Sequence, residues 1–195
     1  MITAENTWLE QAIQGNMDAF SQLVETYQRP VFNLCYRMLG DAMEAEDAAQ
    51  ETFWRAYQGM KKYDPSRSFV TWLLSIAAHY CIDQQRKRKI PMVDIDILPE
   101  ENMPDPSPNP EKVISKQLEN RALHRLLDQL QPQDRAAVIL RYWYEMSEQE
   151  ISNTLQLSTS AVKSRLFRAR KQLADAYQSL QKADLERSLH GTPTL

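Results

Sequence analysis

The chain is short of glycine, cysteine and histidine. Only Gly15, Gly40, Gly59 and Gly191 occur in 195 residues, and strand-rich folds, whose tight turns use glycine, are disfavoured by that scarcity. Cys35 and Cys81 lie far apart inside apolar, helix-like runs. They make neither a disulfide framework nor a zinc spacing, and read as reduced core thiols of a cytosolic protein. His79, His124 and His190 are widely separated, and no glycine-rich phosphate loop or metal-ligand spacing accompanies them. An enzyme carrying a DNA-binding appendage is therefore weakly supported, and no catalytic residue, metal site or cofactor is expected. There is no charged-then-apolar leader and no apolar run approaching a membrane span, so a secreted or membrane-inserted protein is not expected.

What is present is charge, and it is unevenly placed. The net charge is −3. Residues 1–90 hold ten Lys/Arg and eleven Asp/Glu, and residues 112–195 hold thirteen and nine. Between them "PMVDIDILPEENMPDPSPNPE" (91–111) carries six acids, no base and six of the ten prolines. Proline cannot continue a helix and pushes the preceding residue toward extended structure, so this stretch reads as an acidic, extended linker. The expected architecture is all-α: two small helical domains, 1–90 and 113–182, joined by a linker at 91–112, with a fraying tail at 183–195.

In the first domain, Asp41 with Glu44 suggests a helix start of capping-box type. Ala45, Ala48, Thr52, Phe53, Ala56 and Met60 then share one face, and Asp47, Gln50, Glu51 and Trp54 another. The second face is either solvated or a protein-docking surface. Asp64-Pro65 marks a turn. In the next helix Phe69, Leu73, Ile76 and Tyr80 recur at helical spacing beside Trp72, and the helix ends in Arg86-Lys87-Arg88-Lys89. Those cations either complement the helix dipole or, with Tyr63, Arg67 and Trp72, hold a nucleic-acid strand by charge and stacking.

The second domain opens with a helix at 113–130 that Pro132 ends, followed by a helix through "RAAVILRYWYE". Next comes a helix-turn-helix pattern. Ser147 and Glu150 form a capping box, Ile151 and Leu155 face inward, and "QLS" (156–158) is the turn. In "STSAVKSRLFRARKQL" Val162, Leu166, Ala169 and Leu173 make the buried stripe. Thr159, Ser160, Lys163, Ser164, Phe167, Arg168 and Lys171 face outward. An apolar stripe that fixes a helix whose other face is polar and cationic suits the DNA major groove.

Taken together, "AFSQLVETY", "CYRMLGD", "EAEDAAQETFWRAY", "FVTWLLSIA", "CIDQQRKRK", "EMSEQEIS" and "AVKSRLFRAR" stand in this order. In this the chain resembles the extracytoplasmic function group of sigma factors, the smallest members of the sigma-70 family. The resemblance implies a soluble transcription initiation factor that binds the clamp helices and flap of core RNA polymerase, and promoter DNA, with an anti-sigma factor as a further partner. It implies polymerase binding by Asp47, Gln50 and Glu51. For the −10 element it implies Lys61, Tyr63, Asp64, Arg67, Ser68, Trp72, His79, Arg86, Lys87 and Arg88, the 61–68 loop capturing a flipped base. For the −35 element it implies Ser158, Thr159, Ser160, Lys163, Ser164, Arg165, Arg168 and Lys171. Two departures stand out: many relatives have Arg and Asn in place of Ala78 and His79, and often Gly in place of Gln156. The alternative is a stand-alone helix-turn-helix regulator that acts without polymerase; it leaves the acidic helix and the aromatic-basic loop without a role.

Overall fold

A computed structural model describes residues 4–88 and 122–190, with side chains as far as residue 179. The acidic linker at 91–112 and the first part of the helix expected at 113–130 lie outside the described residues. Among those described there is no strand. The elements are α1 (Ala4–Ile13), α2 (Met17–Leu39), α3 (Ala42–Gly59), a 3-10 turn (Met60–Lys62), α4 (Phe69–Arg88), α5 (122–128), α6 (Pro132–Trp143), α7 (Glu148–Leu155) and α8 (Thr159–His190). The backbone of α8 thus runs on, as helix, through most of the stretch expected to fray.

Local chemistry sets the ends of these helices. Asn16 accepts the Ala19 N–H at 3.0 Å and starts α2. Gly40 ends it at φ +85°, a left-handed conformation that glycine adopts without a Cβ clash, and its N–H donates to the Tyr36 carbonyl. Asp41 accepts the Glu44 N–H at 2.9 Å. The reciprocal half of that box is not made, because the Glu44 carboxylate pairs instead with Arg88. Pro132 does not end the preceding helix; it stands in the first turn of α6, where a missing N–H costs nothing.

Helices α1–α4 bury Leu23, Val31, Leu34, Met38, Met60 and Leu73, while α6–α8 bury Ile139, Leu140, Ile151 and Val162. The two groups share one continuous core. The helix responsible is α4, packed by α2 and α3 on one side and by α6 and α7 on another. Its buried positions are Phe69, Leu73, Leu74, Ala77, Ala78, Cys81 and Ile82, whereas Ile76 and Tyr80 are half-buried. Of the residues picked out by spacing Phe69 and Leu73 are buried, Leu74, Ala78 and Ile82 are buried beside them, and no residue of α4 before Asp83 is fully exposed.

Candidate nucleic-acid interface and protein-docking face

The helix-turn-helix is built as its sequence requires. The Ser147 hydroxyl accepts the Glu150 N–H at 3.2 Å, and the Glu150 carboxylate accepts the Ser147 N–H at 2.7 Å. The Ser147 N–H and hydroxyl, each 2.7 Å from the Glu150 carboxylate, stabilise its charged form and hold the carboxyl below its usual range. Gln156 ends α7 at φ +53° and ψ +45°, a left-handed turn that a non-glycine residue adopts at a cost of about 1 kcal/mol. Ser158 then caps α8 by accepting the Ala161 N–H at 3.2 Å, and its hydroxyl meets that of Ser160 at 3.0 Å.

On α8, Ser160, Lys163, Ser164, Arg168 and Lys171 are exposed, as expected of an outward face. Thr159 is half-buried and donates to the Gln149 side chain at 3.3 Å. Lys163 lies 3.6 Å from Glu148 and keeps most of its side chain in solvent. Arg165 departs from the expectation. Its guanidinium turns inward to Asp134 at 2.6 Å and to the Gln133 side chain, leaving 22% of the side chain exposed. Arg168 reaches the same Asp134 only at 3.6 Å and stays 58% exposed. Because Asp134 is buried, Arg165 is a tether between α8 and α6, and Arg168 is the outward cation. Phe167 at 65% exposure stands among these cations. A cleft of 360 Å³ beside it is lined by Arg141, Tyr142, Lys163, Leu166 and Arg170.

In the first domain the loop after α3 is held by aromatic packing. Tyr63 is 6% exposed; its ring meets Phe69 at 5.6 Å and Trp72 at 5.0 Å, and its hydroxyl donates to the Arg67 carbonyl at 2.5 Å. Trp72 packs against Gly59 so closely that a Cβ there would lie 3.3 Å from the ring. For these two rings the sequence leaves a stacking role open, and for Trp72 a place in the core is the commoner one. With Tyr63 enclosed and Trp72 half-buried, they instead brace the loop. Of the loop residues assigned to DNA, Lys61, Asp64, Arg67 and Ser68 are exposed, as are Lys62, Pro65 and Ser66 beside them. Asp64 accepts the Ser66 N–H at 2.9 Å, which draws its carboxyl below the usual range. His79 is half-buried, with Nδ1 2.7 Å from the Ser75 carbonyl. Arg86 and Lys87 are exposed, while Arg88 pairs with Glu44 and donates to the Leu39 carbonyl at 3.4 Å.

On α3, Asp47 and Gln50 are exposed, and half-buried Glu51 pairs with Arg55 at 2.7 Å. Trp54 stands out beside them, stacked at 6.4 Å on Tyr57. Sequence reasoning missed the groove that adjoins this face. It measures 590 Å³ between α2 and α3, with Val24, Phe32, Ala49 and Phe53 as its apolar floor and Glu25, Glu46 and Gln50 among its rim. Val24, Glu25 and Thr26 of that groove stand in the "AFSQLVETY" run, but only pairing with α3 makes it a groove.

Cys35 and Cys81 are buried and free, and they face one another; the hydrogen bond that the Cys81 thiol donates to Cys35, together with burial, pushes that thiol well up. Among the described residues no cluster of His, Cys, Asp and Glu could hold a metal ion, and no helix is long and apolar enough to cross a membrane.

Comparison with known proteins bears on both surfaces. The family model described as Sigma-70 region 2 matches residues 23–90, and Sigma-70, region 4 matches residues 120–173. The chain is 34% identical to the ECF RNA polymerase sigma factor SigW of Bacillus subtilis, over 88% of its length and 96% of that protein. It is 30% identical to the RNA polymerase sigma-H factor of Pseudomonas aeruginosa, over 88% of its length and 93% of that protein. In fold it is similar to the sigma factor RpoE solved with the anti-sigma factor NepR from Bartonella quintana. The TM-score there is 0.65 at 21% identity, covering 82% of this chain and 96% of that one.

Proposed function

The chain belongs to the extracytoplasmic function group of the sigma-70 family, and from that membership we propose how its surfaces divide the work of starting transcription. Residues 1–90 form the unit that docks on core RNA polymerase and opens the −10 element. Residues 113–182 form the unit that reads the −35 element, residues 91–112 tether the two, and 183–195 are a tail. Asp47, Gln50, Glu51 and the 590 Å³ groove beside them receive the clamp helices of the largest subunit, and the second unit meets the flap. Lys61, Asp64, Arg67 and Ser68, with His79, Arg86, Lys87 and Arg88, line the path of the −10 strand; Tyr63 and Trp72 hold the loop in shape. Extruding a base costs a few kcal/mol, which polymerase binding and strand capture together offset.

On α8, Ser158, Thr159, Ser160, Lys163, Ser164, Arg168 and Lys171 meet the −35 groove, with Arg165 positioning the helix. Arginine pairs bidentately with guanine and specifies sequence; lysine on phosphate contributes salt-dependent affinity. The protein does no bond chemistry and acts in the cytoplasm, where polymerase is, in a stress or envelope response. An anti-sigma factor is its further partner. The observation that carries this reading is the outward cationic face of α8, fixed by a fully formed capping box on α7.

The docking half is tested by Asp47→Lys with Glu51→Lys. Core-polymerase binding is expected to fall at least tenfold while the thermal melt stays in place. Unchanged binding would sink the docking assignment.

A further inference from the structure

Arg55, on the flank of α3 that faces α4, belongs neither to the docking residues nor to the promoter residues. Its Nε donates to the Glu51 carboxylate at 2.7 Å, and its guanidinium carbon lies 4.9 Å from the centre of the Tyr80 ring on α4. Ring and carboxylate together fix where the guanidinium sits. Its Nη1 and Nη2 groups have no partner among the described residues, and 48% of the side chain is exposed. An exposed ion pair of this spacing adds little to stability, so the needs of α3 do not account for an arginine held in this way.

Arg55 forms one wall of a 280 Å³ cavity at the seam of α3 and α4, with Tyr80, Asp83, Gln84, Arg86 and Lys87 as the others. Three cations face that cavity against one acid, and the acid is loosely held, Asp83 lying 4.0 Å from Arg86. Across Tyr80 and Gln84 a second cavity, of 180 Å³, has the opposite character. Glu44 and Asp47 line it, and its cation, Arg88, is already paired with Glu44. An anion that approaches this seam is accepted on one side of Tyr80 and repelled on the other.

We infer that the larger cavity seats one backbone phosphate of promoter DNA and that Arg55 binds the strand there with Arg86 and Lys87; this rests on the −10 reading given above, which runs the strand past the last two. With Nε taken and one face near a ring, the guanidinium has its Nη edge left to offer, and that edge matches two oxygens of a phosphate. A phosphate contact positions a strand without reading its bases. The seat therefore supplies salt-dependent affinity and sets the register in which the strand meets the 61–68 loop.

The test uses holoenzyme at saturating core polymerase and a pre-melted fragment of a promoter mapped from the 5′ ends of its transcripts. Arg55→Gln, which removes the charge, should weaken binding about fivefold and reduce the slope of log affinity against log salt by about 0.7–0.9. Arg55→Lys should restore that slope, because a point charge is enough for a phosphate. Single neutral methylphosphonates are then placed at successive phosphates around the −10 element. One position should weaken binding by the unsubstituted protein and be silent in Arg55→Gln. If the salt slope does not change in Arg55→Gln, or every methylphosphonate weakens both proteins alike, Arg55 merely braces α3 on α4 and the inference is overturned. Inorganic phosphate shares the chemistry of the strand. If it binds the free protein through Arg55 while no DNA position turns silent, the seat serves a free anion and the DNA assignment falls. Arg67→Ala, outside the seat, reports on the −10 reading by itself. Should it weaken binding where Arg55→Gln does not, the seat alone fails; should neither weaken binding, the −10 reading fails with it.

Discussion

Two helices of this protein carry runs of cations, and they carry them at opposite ends. The cations of α4 lie in its last turn, where the helix dipole favours positive charge by about 0.3–1 kcal/mol. One of them, Arg88, is also used internally on Glu44 and on the end of α2. Helix stability alone explains much of that run. The cations of α8 begin at Lys163, in its second turn, and its first turn holds no acid. A helix N-terminus favours anions, so nothing in the physics of α8 itself asks for them there. Charge that a helix does not need for itself is charge kept for something else, and α8 is the stronger functional signal of the two.

Within α8 the same distinction separates Arg165 from Arg168. The largest effect is expected where the charge is structural. Arg165→Ala or Asp134→Ala leaves a buried partner uncompensated and should cost about 3 kcal/mol by chemical denaturation. Arg168→Ala should stay within about 0.5 kcal/mol. If the two arginines melt alike, the inward–outward contrast fails. Next in size, Arg168→Ala should lower discrimination at one −35 position by about 1–3 kcal/mol. Lys163→Ala should weaken all sequences alike and reduce the salt slope by about one. Holoenzyme binding to a randomised −35 library at two salt concentrations reads both. The smallest effect sharpens the comparison with α4. Arg88→Ala should lose up to about 1 kcal/mol of stability, as befits a half-exposed ion pair, whereas Lys87→Ala should lose only a small dipole contribution of about 0.3 kcal/mol while weakening −10 strand binding. Equal stability for both would remove the structural share of that run.

The helix-turn-helix was legible because its signals are local. A capping box, a short turn and a stripe at helical spacing sit close together in the sequence; the box and turn form, and Val162, Leu166 and Ala169 are buried while Leu173, at the end of the stripe, is only half-buried. The two faces of α3 were legible for the same reason. Long-range matters were not. Leu74, Ala78 and Ile82 are buried because α6 and α7 close over α4, and spacing within one helix cannot report a second cover. Tyr63 looked like a platform because a loop aromatic reads alike whether it points out or in; Phe69 and Trp72 decide that it points in. Arg165 and Arg168 differ by three positions, and only a buried acid on another helix tells them apart. Arg135, a buried guanidinium, carries no sequence signal of burial at all.

Two modules on one chain gain avidity when a short separation turns the second binding event into an intramolecular one. The packing of α6 and α7 against α4 withdraws that gain. On the reading proposed above, the joined domains present α8 to a −35 sequence and the first domain to a −10 sequence one at a time. The groove between α2 and α3 is lined by those two helices only, so it remains open throughout.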